Sequence, residues 1–415
     1  MQTADVLVVG AGAAGCMAAG TAAQCGADVL VIERNERVAR KVCITGKGRC
    51  NVTNASDVPT LVQNVPGNGR FLYSAFSAFA SEDTMRFFEE LGVPLKVERG
   101  NRVFPESDKA MDIADALAQF LRQNGVHRVH ARVSELLLED GAVRGVRAAS
   151  GEPFYADRVI LATGGLSYPA TGSTGDGYRL ARQAGHTITP TRPSLSALRC
   201  REDLCASCAG LSLRNVALTV EDTKKHKEIY SDFGEMLFTH FGVSGPMVLS
   251  ASAHLRDMQP ERYRLYIDLK PALSEEKLDS RLLRDFSENG NKGIANTLGL
   301  LLPRSLIAPV LHLAGIDRAA KTNQISKAQR MALLQTVKAL PLTVLGFFDI
   351  DAAIVTAGGV NVREVDPKTM ESKLCRGLYF AGELLDCDAY TGGFNLQIAF
   401  STGYLAGRAA GRSRN

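Results

Sequence analysis

Gly10, Gly12 and Gly15 stand in the spacing GxGxxG directly after the apolar run Val6-Leu7-Val8-Val9. Those residues at that spacing can hold a pyrophosphate. The first glycine permits the tight turn, the second lets the backbone approach phosphate oxygens, and the third lets the following helix pack on the strand. That helix has Ala13 and Ala14 in its first turn, where unsatisfied N–H groups and the macrodipole favour an anion. Glu33 lies 18 residues after Gly15, at the end of a second apolar run, Val29–Ile32. A carboxylate there can accept hydrogen bonds from ribose hydroxyls, and Arg34 adjoins it.

A second set of glycines stands about 370 residues further on. Gly382-Glu383 closes the run Leu378-Tyr379-Phe380, and Gly392-Gly393-Phe394-Asn395-Leu396 opens a last helix. A third set, Thr163-Gly164-Gly165, ends the run Arg158–Leu161. A nucleotide fold whose first and last strands come from opposite ends of the chain, with glycine turns closing both, points to FAD rather than a loosely held NAD. Glu383 is placed to hydrogen-bond the ribityl chain or phosphate-linked hydroxyls. The start of the last helix is placed to face the N1–C2=O edge of the flavin, where the reduced ring carries negative charge. No second complete GxGxxG unit is present, so NAD(P)H, if it supplies electrons, must dock transiently.

The loop Arg40–Asn54 should run from the adenine end of the cofactor toward the flavin. It carries Arg40, Lys41, Lys47 and Arg49 within ten residues. Its candidates for cofactor contact are Lys41, Thr45, Gly46, Gly48, Arg49, Cys50 and Asn51; a solvated basic loop is the competing reading. Val133 completes the cofactor-binding set. On the substrate side, Arg102 could polarise a carbonyl or form a surface ion pair. His240, beside two phenylalanines, could be an acid or a packed structural ring. Tyr390 could donate a proton. Tyr168, Thr171 and Ser173 are further candidates. Cys205 and Cys208 form a lone CxxC, a poor metal site, and no metal is expected.

The elements that position these groups follow from apolar periodicity. Val6–Val9, the glycine turn, a helix with Ala14, Met17, Ala18, Thr21, Ala22 and Cys25 at helical spacing, and Val29–Ile32 make a βαβ unit. Residues 82–92 and 108–124 read as amphipathic helices flanking a hairpin between Val93 and Pro105. Residues 129–149 read as a β-meander turning at Asp140-Gly141. Short alternating strands are expected over 190–271, helices over 274–338, and strand again over 341–356. The nucleotide sheet should then resume with Gly358-Gly359-Val360 and Leu378–Phe380, and the basic tail after Gly407 should fray. The boundaries expected are 1–189 with 356–415 for a discontinuous nucleotide domain, 190–272 with 339–355 for an inserted β domain, and 273–338 for a helical subdomain.

Composition narrows the class. With 415 residues, 45% hydrophobic and 22% charged, the chain reads as globular with two or three domains. A net charge of +4 neither requires nor excludes nucleic acid. Nine scattered cysteines suit a reducing cytoplasm. The N-terminus reads as strand–turn–helix rather than an export signal, and no run approaches the length of a membrane span.

Five ordered stretches resemble the BaiN/YhiN flavoproteins, which include aminoacetone-oxidase-like enzymes. They are RKVCITGKGRCNVTN from Arg40, RVFPES from Arg102, ATGGLSYPATGSTGDGY from Ala162, FTHFGVSGP from Phe238, and GLYFAGELLDCDAYTGGFNLQIAFSTGYLAG from Gly377. The resemblance runs from residue 5 to about 410. It implies a three-layer Rossmann-like FAD domain interrupted by a β-barrel-like domain that carries a helical subdomain. It also implies flavin redox chemistry: reduction of activated C=C bonds such as those of keto-steroid bile acid intermediates, oxidation of small amines, or reduction of a ribosomal RNA uridine. Many members have glycine where this chain has Lys47. The expectation is an FAD-dependent oxidoreductase, a reductase supplied by NAD(P)H and acting on a small enone-type substrate. The alternatives are a ribosomal RNA uridine reductase and a non-catalytic flavin-containing nucleic-acid-binding protein. The oligomeric state is left open.

Overall fold

The computed structural model describes residues 2–412. The chain divides into two compact units, Met1–Ser194 with Asp349–Asn415, and Leu195–Phe348. The first unit is built on β1 (Val6–Val9), α1 (Ala13–Gln24), β2 (Val29–Glu33), β3 (Thr53–Asn54), α2 (Ser81–Glu90), β4 (His127–His130), β5 (Arg158–Leu161), β6 (Leu378–Phe380) and α3 (Phe394–Gly411). Its central sheet is fully parallel, in the order β6-β5-β1-β2-β4. The two chain ends therefore share one sheet. β1, β2 and β6 are buried along their whole length, as continuous apolar runs in a covered parallel sheet must be.

α3 lies on α1, and small residues make that contact possible. A Cβ at Gly403 would sit 2.4 Å from the Ala14 carbonyl oxygen, one at Gly407 2.3 Å from that of Ala18, and one at Gly411 2.7 Å from that of Ala22. Two i, i+4 ridges thus meet backbone to backbone. This corrects the expectation of a frayed tail. The helix runs to Gly411 with Ala410 and Gly411 buried, while Ser413 and Arg414 lie outside the described residues.

Residues 129–130 belong to β4 in the parallel sheet. The meander is the antiparallel set Val133–Glu139, Ala142–Ala148 and Pro153–Tyr155. Val93–Pro105 contains the expected hairpin, Leu95–Glu98 against Arg102–Pro105, and the latter strand also pairs with β3. Gly358-Gly359-Val360 does not rejoin the nucleotide sheet. Val355–Val360 pairs antiparallel with Ile188–Ser194, and backbone closeness is the reason: a Cβ at Gly358 would meet the Pro190 carbonyl oxygen at 2.4 Å. That strand pair belongs to the first unit, so residues 190–194 and 349–355 lie there and not in the inserted β domain.

The second unit holds a closed six-stranded barrel, with Ser212–Asp222 and Lys227–Thr239 much longer than the short strands expected. Its alternating inward residues, among them Leu218, Val220, Phe238, Leu265 and Leu342, are fully buried and fill the interior. Helices Glu275–Glu288, Ile294–Leu298, Arg304–Leu313 and Lys327–Lys338 belong to the same unit, as do the short helices Leu204–Ser207 and Pro246–Ser252. Among the described residues no helix is long and apolar enough to cross a membrane.

Candidate functional site

A cleft opens in the first unit at the carboxyl ends of β1, β2, β5 and β6. Ligands of open α/β sheets bind at that end. Three glycine turns converge on it: Gly10, Gly12, Ala13 and Ala14 after β1, Thr163 and Gly164 after β5, and Gly382 and Glu383 after β6. Asn395 and Leu396, from the first turn of α3, complete that wall. Glu33, Arg34, Lys41, Thr45 and Val133 also line the cleft.

The glycine turn has the form a phosphate needs. Gly10 has φ +95°, and a Cβ there would meet the Ala162 carbonyl oxygen at 2.7 Å. A Cβ on Gly12 would meet nothing within 4 Å, so that position opens onto free space. Gly12 caps α1 with no side-chain hydrogen bond and no acidic residue follows in the first turn. The amides of that turn therefore keep their capacity for an anion. Gly15 does not line the cleft; a Cβ there would lie 1.8 Å from the Gly10 carbonyl oxygen, so its part is helix packing. The Thr163 hydroxyl is buried against Gly177, where an added Cβ would lie 2.0 Å from it, and has no hydrogen-bond partner among the described residues. The donor set and the open cradle fit FAD.

Two carboxylates are already largely engaged. Glu33 Oε2 accepts from the Ala11 amide at 2.7 Å, and Oε1 accepts from the Asn35 backbone and side-chain amides, both at 2.8 Å. A carboxylate offers about four acceptor positions, so roughly one remains for a ribose hydroxyl. Glu383 is engaged in the same way. Lys41 Nζ donates to its Oε2 at 2.7 Å, and Ser167 Oγ and the Thr356 amide donate to its Oε1 at 3.0 and 2.9 Å. This Lys41–Glu383 pair ties the basic loop to the second glycine signature across 342 residues.

Several expected contacts lie elsewhere. Gly46 and Gly48 have φ +56° and +86° and shape a turn outside the cleft lining. Arg49 is drawn away by its partners: it pairs with Glu98 at 2.5 Å and Asp108 at 2.6 Å and lies 4.2 Å from the Phe104 ring centre. Asn51 is half-buried, its Oδ1 has no partner among the described residues, and it does not line the cleft. Cys50 is fully buried, and burial pushes its thiol up to about 12, so no reactive thiolate forms there. In the folded protein Cys50 should resist alkylation at pH 8 while the exposed Cys25 reacts; peptide mapping of both cysteines checks this.

Gly165 backs the wall, since a Cβ there would meet Thr356 Oγ1 at 2.5 Å. Gly392 and Gly393 set the start of α3 against β3, and Phe394 is buried in the core. None of the three catalytic candidates lines the cleft. Arg102 is exposed and its Nε donates to the Arg99 carbonyl at 3.0 Å. Tyr390 is half-buried, its amide donating to the Asn64 carbonyl at 3.0 Å. His240 is an exposed residue of the second unit, edge-on to Phe241 with ring centres 5.0 Å apart.

Thr171 and Ser173, expected on the substrate side, do line the cleft. The motif reading passed over Arg132 and Asp176. Arg132 forms a bidentate pair with Asp176, at 2.9 and 2.7 Å, and holds its carboxyl below the usual range. Arg34 Nη1 donates to Thr174 Oγ1 at 2.8 Å in the same cluster. The available signal was Asp176 within the GSTGDGY stretch; Arg132 carried none.

A Rossmann-type parallel sheet with glycine turns from both chain ends around one cleft defines a dinucleotide-binding flavoprotein. A family model described as HI0933-like protein Rossmann domain matches residues 4–409, and the chain belongs to that family of FAD-dependent oxidoreductases. It is 34% identical over 408 residues to the 3-dehydro-bile acid delta(4,6)-reductase of Clostridium scindens, covering 97% of this chain and 98% of that one. It is 29% identical over 408 residues to the ribosomal RNA dihydrouridine synthase of Escherichia coli, covering 97% of each. Among solved structures, the fold is shared with 3-ketosteroid-delta4-(5alpha)-dehydrogenase from Rhodococcus jostii RHA1. There the TM-score is 0.54 at 17% identity, with 99% of this chain and 97% of that chain covered.

Proposed function

We propose that this chain reduces an activated, enone-type C=C bond of a small substrate, with NAD(P)H docking transiently to supply electrons. The observation that carries this reading is the end-to-end similarity, at 34% identity, to a relative named as a delta(4,6)-reductase of 3-dehydro-bile acids. Bound FAD would accept and pass on hydride at N5. The chain's own residues would do the holding: the α1 amides take the pyrophosphate, Glu33 orients the adenosine ribose, and the Lys41–Glu383 pair and Thr163 border the ribityl region. The first turn of α3 would face the flavin ring. The test is anaerobic single-turnover oxidation of photoreduced protein by a panel of 3-oxo-4-ene steroids, small amines and uridine-containing RNA. Rapid reoxidation by the steroids alone is expected; reoxidation by RNA and not by any enone would overturn the reading.

A second reading, reduction of a ribosomal RNA uridine, is favoured by the 29% identity to relatives named for that reaction and by the basic loop. The loop supports it only in part. Lys41 and Arg49 are spent on carboxylates, while Lys47 is exposed at φ +58°. Lys47→Gly separates the two. If the loop tracks RNA phosphates, the variant should bind RNA more weakly, with a salt slope smaller by about one. For the small-substrate reading, no RNA binding is expected at low salt in either protein, and flavin reduction by NADPH slows or stays unchanged.

A further inference from the structure

Gln397 stands one turn into α3, does not line the cleft, and has no exposed surface. Its side-chain amide nevertheless uses all of its hydrogen-bonding capacity. Oε1 accepts from Thr53 Oγ1 at 2.5 Å and from Thr84 Oγ1 at 2.8 Å. Nε2 donates to the Phe79 carbonyl at 3.0 Å and to Ser401 Oγ at 2.9 Å. Thr53, Thr84 and Ser401 are buried to the same degree. A closed polar network in such surroundings is rigid, because each lost partner leaves a buried group unsatisfied.

The network joins three segments far apart in sequence: β3 at the end of the basic loop, α2, and α3. The backbone contacts beside it are equally close. A Cβ on Gly393 would lie 2.3 Å from both the carbonyl carbon and oxygen of Thr53. Asn54 Nδ2 donates to the carbonyls of Gly392 and Gly100, each at 3.0 Å. On the cleft side of the same turn stand Asn395 and Leu396. The depth at which the first turn of α3 meets the cleft is therefore set from behind, by an amide that does not line the cleft.

We propose that Gln397 is a positioning residue: it fixes the first turn of α3 against the cleft and so sets how strongly that turn favours reduced over oxidised FAD. The proposal rests on the reading that this turn faces the flavin ring. Fixed backbone dipoles stabilise developing negative charge best when they need not reorganise. A turn that can shift loses that advantage for the anionic reduced ring and little of its contact with the neutral oxidised ring.

The experiment compares wild type, Gln397→Met, Thr84→Val and Asn395→Asp, each reconstituted with FAD. The readouts are the midpoint potential, the affinity of apo-protein for oxidised FAD, and thermal unfolding. Gln397→Met removes the whole amide. Thr84→Val is nearly isosteric, removes one donor, and decides the matter alone if Gln397→Met does not fold. The expected result for either is a tenfold loss of preference for reduced FAD, a fall of about 30 mV for a two-electron couple, with affinity for oxidised FAD changed less than threefold. An unchanged potential, or equal losses for both redox states, overturns the proposal and leaves Gln397 a structural residue. Asn395→Asp places a negative charge in that turn, at a side chain whose Oδ1 accepts from the Ala389 amide and whose Nδ2 donates to the Ala389 carbonyl, both at 2.9 Å, and tests the premise. If it lowers the potential while Thr84→Val and Gln397→Met do not, only the positioning role fails. If it leaves the potential unchanged, the turn does not face the ring and the proposal falls with its premise.

Discussion

Replacing Gly393 with valine is expected to strip the protein of a normal flavin environment and to destabilise the first unit. Gly393 caps α3 at φ +97°, and its missing side chain is where the Thr53 backbone lies, 2.3 Å from an added Cβ. A β-branched residue in that conformation costs roughly 1–3 kcal/mol in backbone strain. Forcing β3 and α3 apart costs about 1–3 kcal/mol more. Because Asn395 and Leu396 follow directly in the cleft wall, the change should reach the ring end of the cofactor before the adenosine end. FAD absorbance per protein, the visible spectrum, the reduction potential and Tm are the measurements. A variant that matches wild type in all four would show that the start of α3 tolerates displacement and does not face the ring.

The second large effect is expected at Glu33. Alanine there removes the acceptor for the Ala11 amide inside the phosphate turn and for both Asn35 amides in the adjoining loop. Hydrogen bonds to a buried carboxylate are worth about 1.5–3 kcal/mol, so FAD affinity should fall roughly ten- to a hundredfold. Titration of apo-protein with FAD measures this. Glu33 is engaged chiefly by the protein, so Glu33→Ala should also weaken the turn without ligand and lower the Tm of the apo form. An apo Tm equal to wild type together with lost affinity would assign Glu33 to the ribose alone. Undiminished affinity would remove it from the site.

The contrast between these two residues shows where sequence reading runs out. Local pattern determined the βαβ unit, the helices flanking the hairpin, and the glycine turns that meet at one cleft. Those features follow from short-range physics: apolar period, turn geometry, and the need for small residues where backbone approaches phosphate. Pattern also brought the two chain ends into one sheet, because turns as specialised as those at Gly10 and Gly382 imply a shared ligand. Tertiary structure decided what each side chain does once folded. Arg49, a plausible phosphate contact in a basic loop, turns instead to Glu98 and Asp108, which the fold brings within 2.5 and 2.6 Å of it. Arg102, Tyr390 and His240 had chemistry suited to catalysis, yet none lines the cleft. Gln397 stood within a recognised motif without a role, because its four partners come from Thr53, Phe79, Thr84 and Ser401, and only the fold brings most of them together. Spacing along the chain fixes the direction of the backbone over one turn or strand; the partner of a buried polar group is chosen by packing across hundreds of residues.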